Sequence, residues 1–288
     1  MVGVGLEVMT MKRWPLLALA ALAVMGTALA TVGSASSAAN HGRGYNYFAV
    51  VCDFSHRNGD DPIVHPGHPN LSHNHTYFGN RTTNASSTPA SLRASGRTTC
   101  GRLGVDTAAY WAPTLLVDSR PVRPLGAIAY YVRRTFGRVD AFPAGLKVIA
   151  GNAAASRAQS RRVTFWSCDE RYGVERSSTV PRCLGGRRSG LRLHINFPNC
   201  WDGDRLDSAN HKSHMAYSSD GDCPASHPVE VPALSLVIYY GVAGGPGAEL
   251  ASGGQFSGHA DFINAWNQRA LERLVDTYLN GFGQRYRR

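Results

Sequence analysis

"LRLHINF", residues 191–197, alternates without a break. Leu191, Leu193, Ile195 and Phe197 fall on one side of an extended chain, and Arg192, His194 and Asn196 on the other. A period of two marks a strand with one face on a core. Outward from it, "RVTFWSC" (162–168) precedes and "ALSLVIYYG" (233–241) follows. Both are rich in the β-branched and aromatic residues that suit a pleated surface. "YNYFAVVC" (45–52), "LGAIAYYVRRT" (125–135) and "LKVIA" (146–150) read as further strands, the first as a buried one. Residues 53–95 show little periodicity and many Pro, Gly, Asn, Ser and Thr, which predicts a long functional loop system or several short strands. "GVAGGPGAELASGG" (241–254) reads as a glycine-rich loop.

One segment reads as a helix, "DFINAWNQRALERLVDTYLNG" (261–281). Phe262, Ile263, Trp266, Ala270, Leu274 and Tyr278 recur at helical spacing, Asp261 suits the N-terminal cap and Gly281 the C-terminal one. The fold expected is therefore mainly β, with α+β as the variant. It is a single disulfide-stabilised β-sandwich-like domain with long loops and a C-terminal helix.

The chain has 288 residues. Residues 1–30 read as a signal peptide, with Met11 as an alternative start: "MKRW" is a basic leader, "PLLALAALAVMG" an apolar run and "TALA" a small-x-small cleavage site near Ala30. The apolar run is short against the roughly 20 residues of a membrane span. An uncleaved N-terminal anchor is the other reading of it. Residues 31–44 are expected to be a flexible leader, 45–281 a single domain and 282–288 a basic tail. The expectation is a secreted, extracellular protein with no membrane span in its mature part.

All six cysteines, Cys52, Cys100, Cys168, Cys183, Cys200 and Cys223, lie beyond the leader, and none forms a CxxC pair. In an exported chain an even count predicts disulfides. Proximity suggests Cys52–Cys100, Cys168–Cys183 and Cys200–Cys223. The formal charge is +10, and only Lys12, Lys147 and Lys212 are lysine. Arginine excess is what a GC-rich genome produces, and it is also what a surface for anionic partners carries. No recognised nucleic-acid motif is present.

Histidine is concentrated in two loops. In "DPIVHPGHPNLSHNHTYFGN" (61–80), His73 and His75 are two apart and share a side of an extended chain, so that both can reach one metal ion; His65 and His68 lie nearby. In "NCWDGDRLDSANHKSHMAY" (199–217), His211 and His214 form HxxH, which shares a face on a helical turn, and Asp202, Asp204 and Asp207 precede them. The candidate catalytic residues are His73, His75, His211, His214 and Asp202. The candidate ligands of a divalent metal, zinc or copper, are His73, His75, His211 and His214. The bland reading of both clusters is hydrogen bonding within loops. His227 and, in "SGHADF" (257–262), His259 and Asp261 are further candidates, with helix capping the preferred reading of Asp261. There is no GxSxG, HExxH, P-loop or GxGxxG motif. Asn70, Asn74, Asn80 and Asn84 each begin an N-x-[ST] sequon.

The ordered set "DPIVHPG…SHNHTYFGN", "YWAPTL", "FPNCWDGDRLDSANHKSHMAY", "CPASHPVEVPAL" and "HADFINAWNQRALERLV" resembles the domain-of-unknown-function family nineteen ninety-six, over about Val50 to Leu279. Family sequences usually read "SxHxHxxxG"; "HNHTYFGN" keeps both histidines and the glycine. The resemblance implies an extracellular single-domain protein of fungal or actinobacterial type and supplies no reaction. The working expectation is an extracellular enzyme or metal-site protein that acts on polysaccharide or cell-wall polymer through a histidine-rich cleft. Tyr77, Tyr110, Trp111 and Trp201 would stack sugar rings, with His227 also touching substrate. A non-catalytic carbohydrate or cell-wall binding module and a structural exported protein are the alternatives.

Overall fold

The computed structural model describes residues 46–101, 103–168 and 175–281. In chain order the elements begin with β1 (Tyr47–Cys52), β2 (Phe54–Asn58), β3 (His75–Gly79), α1 (Pro89–Ser95), β4 (Ala109–Pro113), β5 (Leu115–Val117), β6 (Arg120–Pro121), β7 (Gly126–Val132), β8 (Lys147–Gly151) and β9 (Thr164–Ser167). They continue with α2 (Gly186–Ser189), β10 (Arg192–Asn196), β11 (Cys200–Trp201), β12 (Met215–Ala216), β13 (Val229–Glu230), β14 (Ala233–Tyr239), β15 (Ala248–Leu250), β16 (His259–Ile263) and α3 (Gln268–Leu274). The fold is mainly β, with a helix near the C-terminal end of the chain.

Two antiparallel five-stranded sheets dominate, in the orders β1-β7-β14-β10-β9 and β2-β3-β4-β16-β8. Leu193, Ile195, Leu234, Leu236, Ile238 and Tyr131 from the first sheet and Phe78, Tyr110, Val148, Ala260 and Phe262 from the second belong to one buried cluster. At its centre Asp106, fully buried, accepts from the Tyr110 hydroxyl at 2.8 Å; Tyr110 meets the Tyr131 hydroxyl at 2.6 Å, and Trp266 Nε1 donates to Tyr131 at 2.9 Å. These four side chains thus satisfy one another's polar atoms, the condition for burying them without a large loss.

The alternating stretch is β10, with Leu193 and Ile195 inward. Its polar face is also covered, which simple alternation does not predict. The Arg192 guanidinium lies over the Tyr239 ring, and His194 stacks on Phe165 at 4.2 Å and meets Ser167 Oγ at 2.8 Å.

Two expectations need correction. Within the expected buried strand, Tyr47–Cys52 form β1 at the edge of its sheet, with β7 as its one neighbouring strand, and Val51 is 60% exposed. The helix does not begin at Asp261. Asp261, Phe262 and Ile263 pair with Trp111, Tyr110 and Ala109 of β4 and with Ile149, Val148 and Lys147 of β8. Cross-strand pairing on both sides there overrides a helical spacing that residues 266–279 alone sustain. The cap is Asn267, whose side chain accepts from Ala270 N, and α3 ends in a π-helical turn, Val275–Asn280.

Three disulfides join Cys52–Cys100, Cys168–Cys183 and Cys200–Cys223. No helix among the described residues is long and apolar enough to cross a membrane.

Candidate metal centre

The second sheet is buried on both faces. Phe78, Tyr110 and Phe262 point to the shared core; Tyr77, Trp111 and Ile263 point the other way, into a smaller cluster completed by Ile63, Leu92 and Ala265. The long segment 59–74 and α1 supply that cover. A sheet covered twice shows no polar alternation, which is why β3, β4 and β16 are buried at every position.

Cross-strand register on this outer face sets the site. Tyr77 pairs with Trp111, Trp111 with Asp261, and Asp261 with Ile149. One step along, His75 pairs with Pro113 and His259 with Gly151. His75 and His259 therefore stand on strands either side of β4, and His73, two residues before β3, joins them. The ring centroids are 4.2 Å apart for His73 and His75, 4.9 Å for His73 and His259, and 5.7 Å for His75 and His259.

The tautomers follow from the backbone. His75 Nδ1 donates to the Asp60 carbonyl at 2.9 Å, and His259 Nδ1 donates to the Ser257 carbonyl at 2.8 Å. A neutral ring that donates from Nδ1 carries its lone pair on Nε2, the arrangement found in metal-ligating histidines. His73 Nε2 and His259 Nε2 are 3.1 Å apart. Two nitrogens about 2.0–2.1 Å from one tetrahedral zinc stand roughly 3.3 Å from each other. His75 Nε2 is buried without a hydrogen-bond partner, as are Trp111 Nε1 and Asp261 Oδ2 on the same face.

His73, His75 and His259 each offer a ligand atom, all within 4.8 Å of one another, and the same holds for Asp61, His75 and Asp261. Asp61 is held by the Ile63 and Val64 amides at 2.9 Å each. Asp60 braces the loop beside it, accepting from Asn70 N at 2.8 Å and Ala85 N at 3.1 Å, while its carbonyl also accepts from the Tyr77 hydroxyl.

Burial holds His73 down to about 4, with His65 nearby adding to the effect. Burial takes His259 to about 3 against the Ser257 hydrogen bond, and His75 well below its ordinary value. All three imidazoles are neutral at pH 7, the form that binds a metal. Burial raises Asp61 and, with Asp61 adding its charge, raises Asp261 well above the carboxylate range. A cation among these groups would relieve both penalties at once.

A family model described as "Domain of unknown function (DUF1996)" matches residues 61–266. The chain belongs to the DUF1996 family. The match opens on Asp61 and takes in His73, His75, His259 and Asp261, so the whole cluster lies within the family's region. No curated protein and no solved structure matches the chain.

The other candidates lie as follows. His214 is buried and bonded through both nitrogens, to Ser208 Oγ at 3.0 Å and the Lys147 carbonyl at 2.6 Å. His211 points the other way, with Nδ1 2.9 Å from Asp207 Oδ1, close enough to Asp61 for their charges to interact. The two do not share a helical face: residues 208–214 form turns, and His211 has a φ of 58°. Asp202 caps Asp204 and Arg205 and pairs with the Arg205 side chain at 2.7 Å. His227 meets the Ser213 carbonyl at 3.1 Å and Ser226 Oγ at 2.9 Å.

The sugar-stacking expectation needs correction at three residues. Tyr77, Tyr110 and Trp111 are each 0% exposed, so no ring can lie on them; they are core of the two clusters. Trp201 is half-buried and donates Nε1 to the Arg205 carbonyl at 2.6 Å. His259 and Asp261 could be suspected from the sequence only as a local pair in "SGHADF", with nothing to tie them to His73 and His75, and Asp61 carried no signal there. Cys52, Cys100 and Asp106 also lie close together, but those sulfurs are spent on a disulfide.

Proposed function

We propose that this DUF1996 protein is an exported metal-dependent enzyme whose divalent ion, zinc by donor type, is held by Nε2 of His73, His75 and His259. Asp61 and Asp261 supply carboxylate oxygen at the ion's remaining protein-facing side. The observation that carries this reading is His75 Nε2: fully buried and unpartnered, on a ring grouped with His73 and His259 whose ligand atoms lie within 4.8 Å of one another. A buried polar atom left unpaired is costly unless something binds it.

Half-buried His73 opens the centre to solvent on one side. An ion held there by His73, His75 and His259 would supply Lewis-acid chemistry suited to hydrolysis of a polymer linkage. The substrate proposed is an extracellular polysaccharide or cell-wall polymer. Three disulfides support an oxidising compartment, and the +10 charge of the chain supports an anionic polymer.

The test is elemental analysis and calorimetric zinc titration of chelator-stripped protein, followed by turnover on a polymer panel. One ion per chain, lost in His73→Ala/His259→Ala, is expected. Absence of stoichiometric uptake overturns the proposal.

A further inference from the structure

Beside the three histidines the loop 207–214 delivers one ammonium. Lys212 Nζ donates to the Gly151 carbonyl at 2.7 Å, and Gly151 is the cross-strand partner of His259. The charge is close enough to act on His259 and on Asp261. Its approach is built into the loop. Asn210 Oδ1 accepts from Lys212 N at 3.1 Å and Ser213 N at 2.8 Å, His214 anchors the turn beneath the surface, and Cys200–Cys223 closes the segment.

Gly151 has a φ of +79°, and a Cβ there would lie 2.4 Å from the Gly258 carbonyl oxygen. Only glycine lets β8 end so near His259 and expose its carbonyl to Lys212. One carbonyl uses one of the three N–H donors of an exposed ammonium, leaving two. His65 is half-buried, its imidazole has no hydrogen-bond partner among the described residues, and it lies near enough to His73 and His75 to disfavour their protonation. The nearby rim carboxylate, Asp207, is already shared between Lys147 at 3.1 Å and His211 at 2.9 Å.

The geometry points to an oxyanion subsite beside the metal centre, in which Lys212 holds a phosphate or carboxylate group of the substrate. This rests on the metal-centre reading for its place next to the reacting bond, but not for its existence. Lys212 is a specificity residue: it selects anionic over neutral polymer and takes no part in holding the ion.

The experiment titrates dimethyl phosphate, acetate and glucose onto the protein by calorimetry, in zinc-loaded and metal-free forms. The wild type, Lys212→Ala and Lys212→Arg are compared. Oxyanion binding is expected to weaken about tenfold in Lys212→Ala, the size of a lost charge-assisted hydrogen bond, and to stay within about threefold in Lys212→Arg. Glucose is expected not to bind measurably, zinc is expected to load in both variants, and the tighter of the two oxyanions names the substrate group. Equal oxyanion affinity in wild type and Lys212→Ala, or no oxyanion binding in either form, overturns the subsite. Failure of zinc to load counts against the metal reading alone, since the metal-free titration still reports on Lys212.

Discussion

His259→Ala separates a metal centre from a chance meeting of histidines. Structural zinc sites bind with about 10–16 kcal/mol across four ligands, or roughly 2.5–4 kcal/mol per ligand. Loss of one ligand then weakens zinc by about 10²–10³-fold. At free zinc about 1,000 times the wild-type dissociation constant, binding adds about 4.1 kcal/mol to folding. At roughly 2–4 °C per kcal/mol, the wild type gains about 8–16 °C in Tm. In His259→Ala the same zinc is only about 1–10 times the dissociation constant, so the gain drops to about 0.4–1.4 kcal/mol, or roughly 1–6 °C. The assay is differential scanning calorimetry with and without buffered zinc. His227→Ala serves as the control, because His227 bonds to Ser213 and Ser226 away from the cluster. The control is expected to keep the full zinc increment. If His259→Ala keeps it too, the ion is bound elsewhere and the reasoning is wrong.

Three further outcomes are expected. His73 has a folded pKa of about 4 against 6.5 unfolded, so the unfolded chain takes up the proton first; its contribution is fully present above about 6.5 and is lost as pH falls toward 4. Urea midpoints of the metal-free protein should fall over that window, and less steeply in His73→Gln; equal slopes would exclude the assignment. Replacing Cys200 and Cys223 with serine opens a loop of 23 residues and should cost about 3 kcal/mol, read as a lower urea midpoint. The double variant should also weaken oxyanion binding by freeing the Lys212 loop. Gly151→Ala places a Cβ 2.4 Å from a backbone oxygen at a left-handed φ, so a loss of about 2 kcal/mol or more is expected. A stability unchanged within about 0.5 kcal/mol would mean that β8 can shift at its end.

Strands facing a single core were legible in the sequence. Leu193 and Ile195 alternate with polar neighbours because one side of β10 meets the other sheet. Strand β16 was read as helix because covering both sheet faces leaves Asp261-Phe262-Ile263 without a polar phase, and Trp266 to Leu279 then extended a spurious helical period backwards. His73 and His75 were legible because a spacing of two puts side chains on one side of an extended chain, although only His75 lies in β3. The tie from them to His259 runs across β4 through hydrogen-bond register, and no local spacing encodes that. HxxH carried the opposite lesson. Its spacing means a shared face only on a helix, and with His211 at positive φ the two rings diverge, one to the rim and one into the interior. The orphaned Asp261 oxygen belongs to tertiary structure alone.

His73 and His259 meet although 186 residues separate them along the chain. Their encounter therefore waits on the pairing of β3 with β4 and of β4 with β16, and a disordered chain would lose the closure entropy of a 186-residue loop to bring them together. An ion can act as the last rivet of this protein but not as its seed. On the proposed metal reading, the chain would fold first and take its ion afterwards, so geometry rather than order of encounter would decide which metal stays.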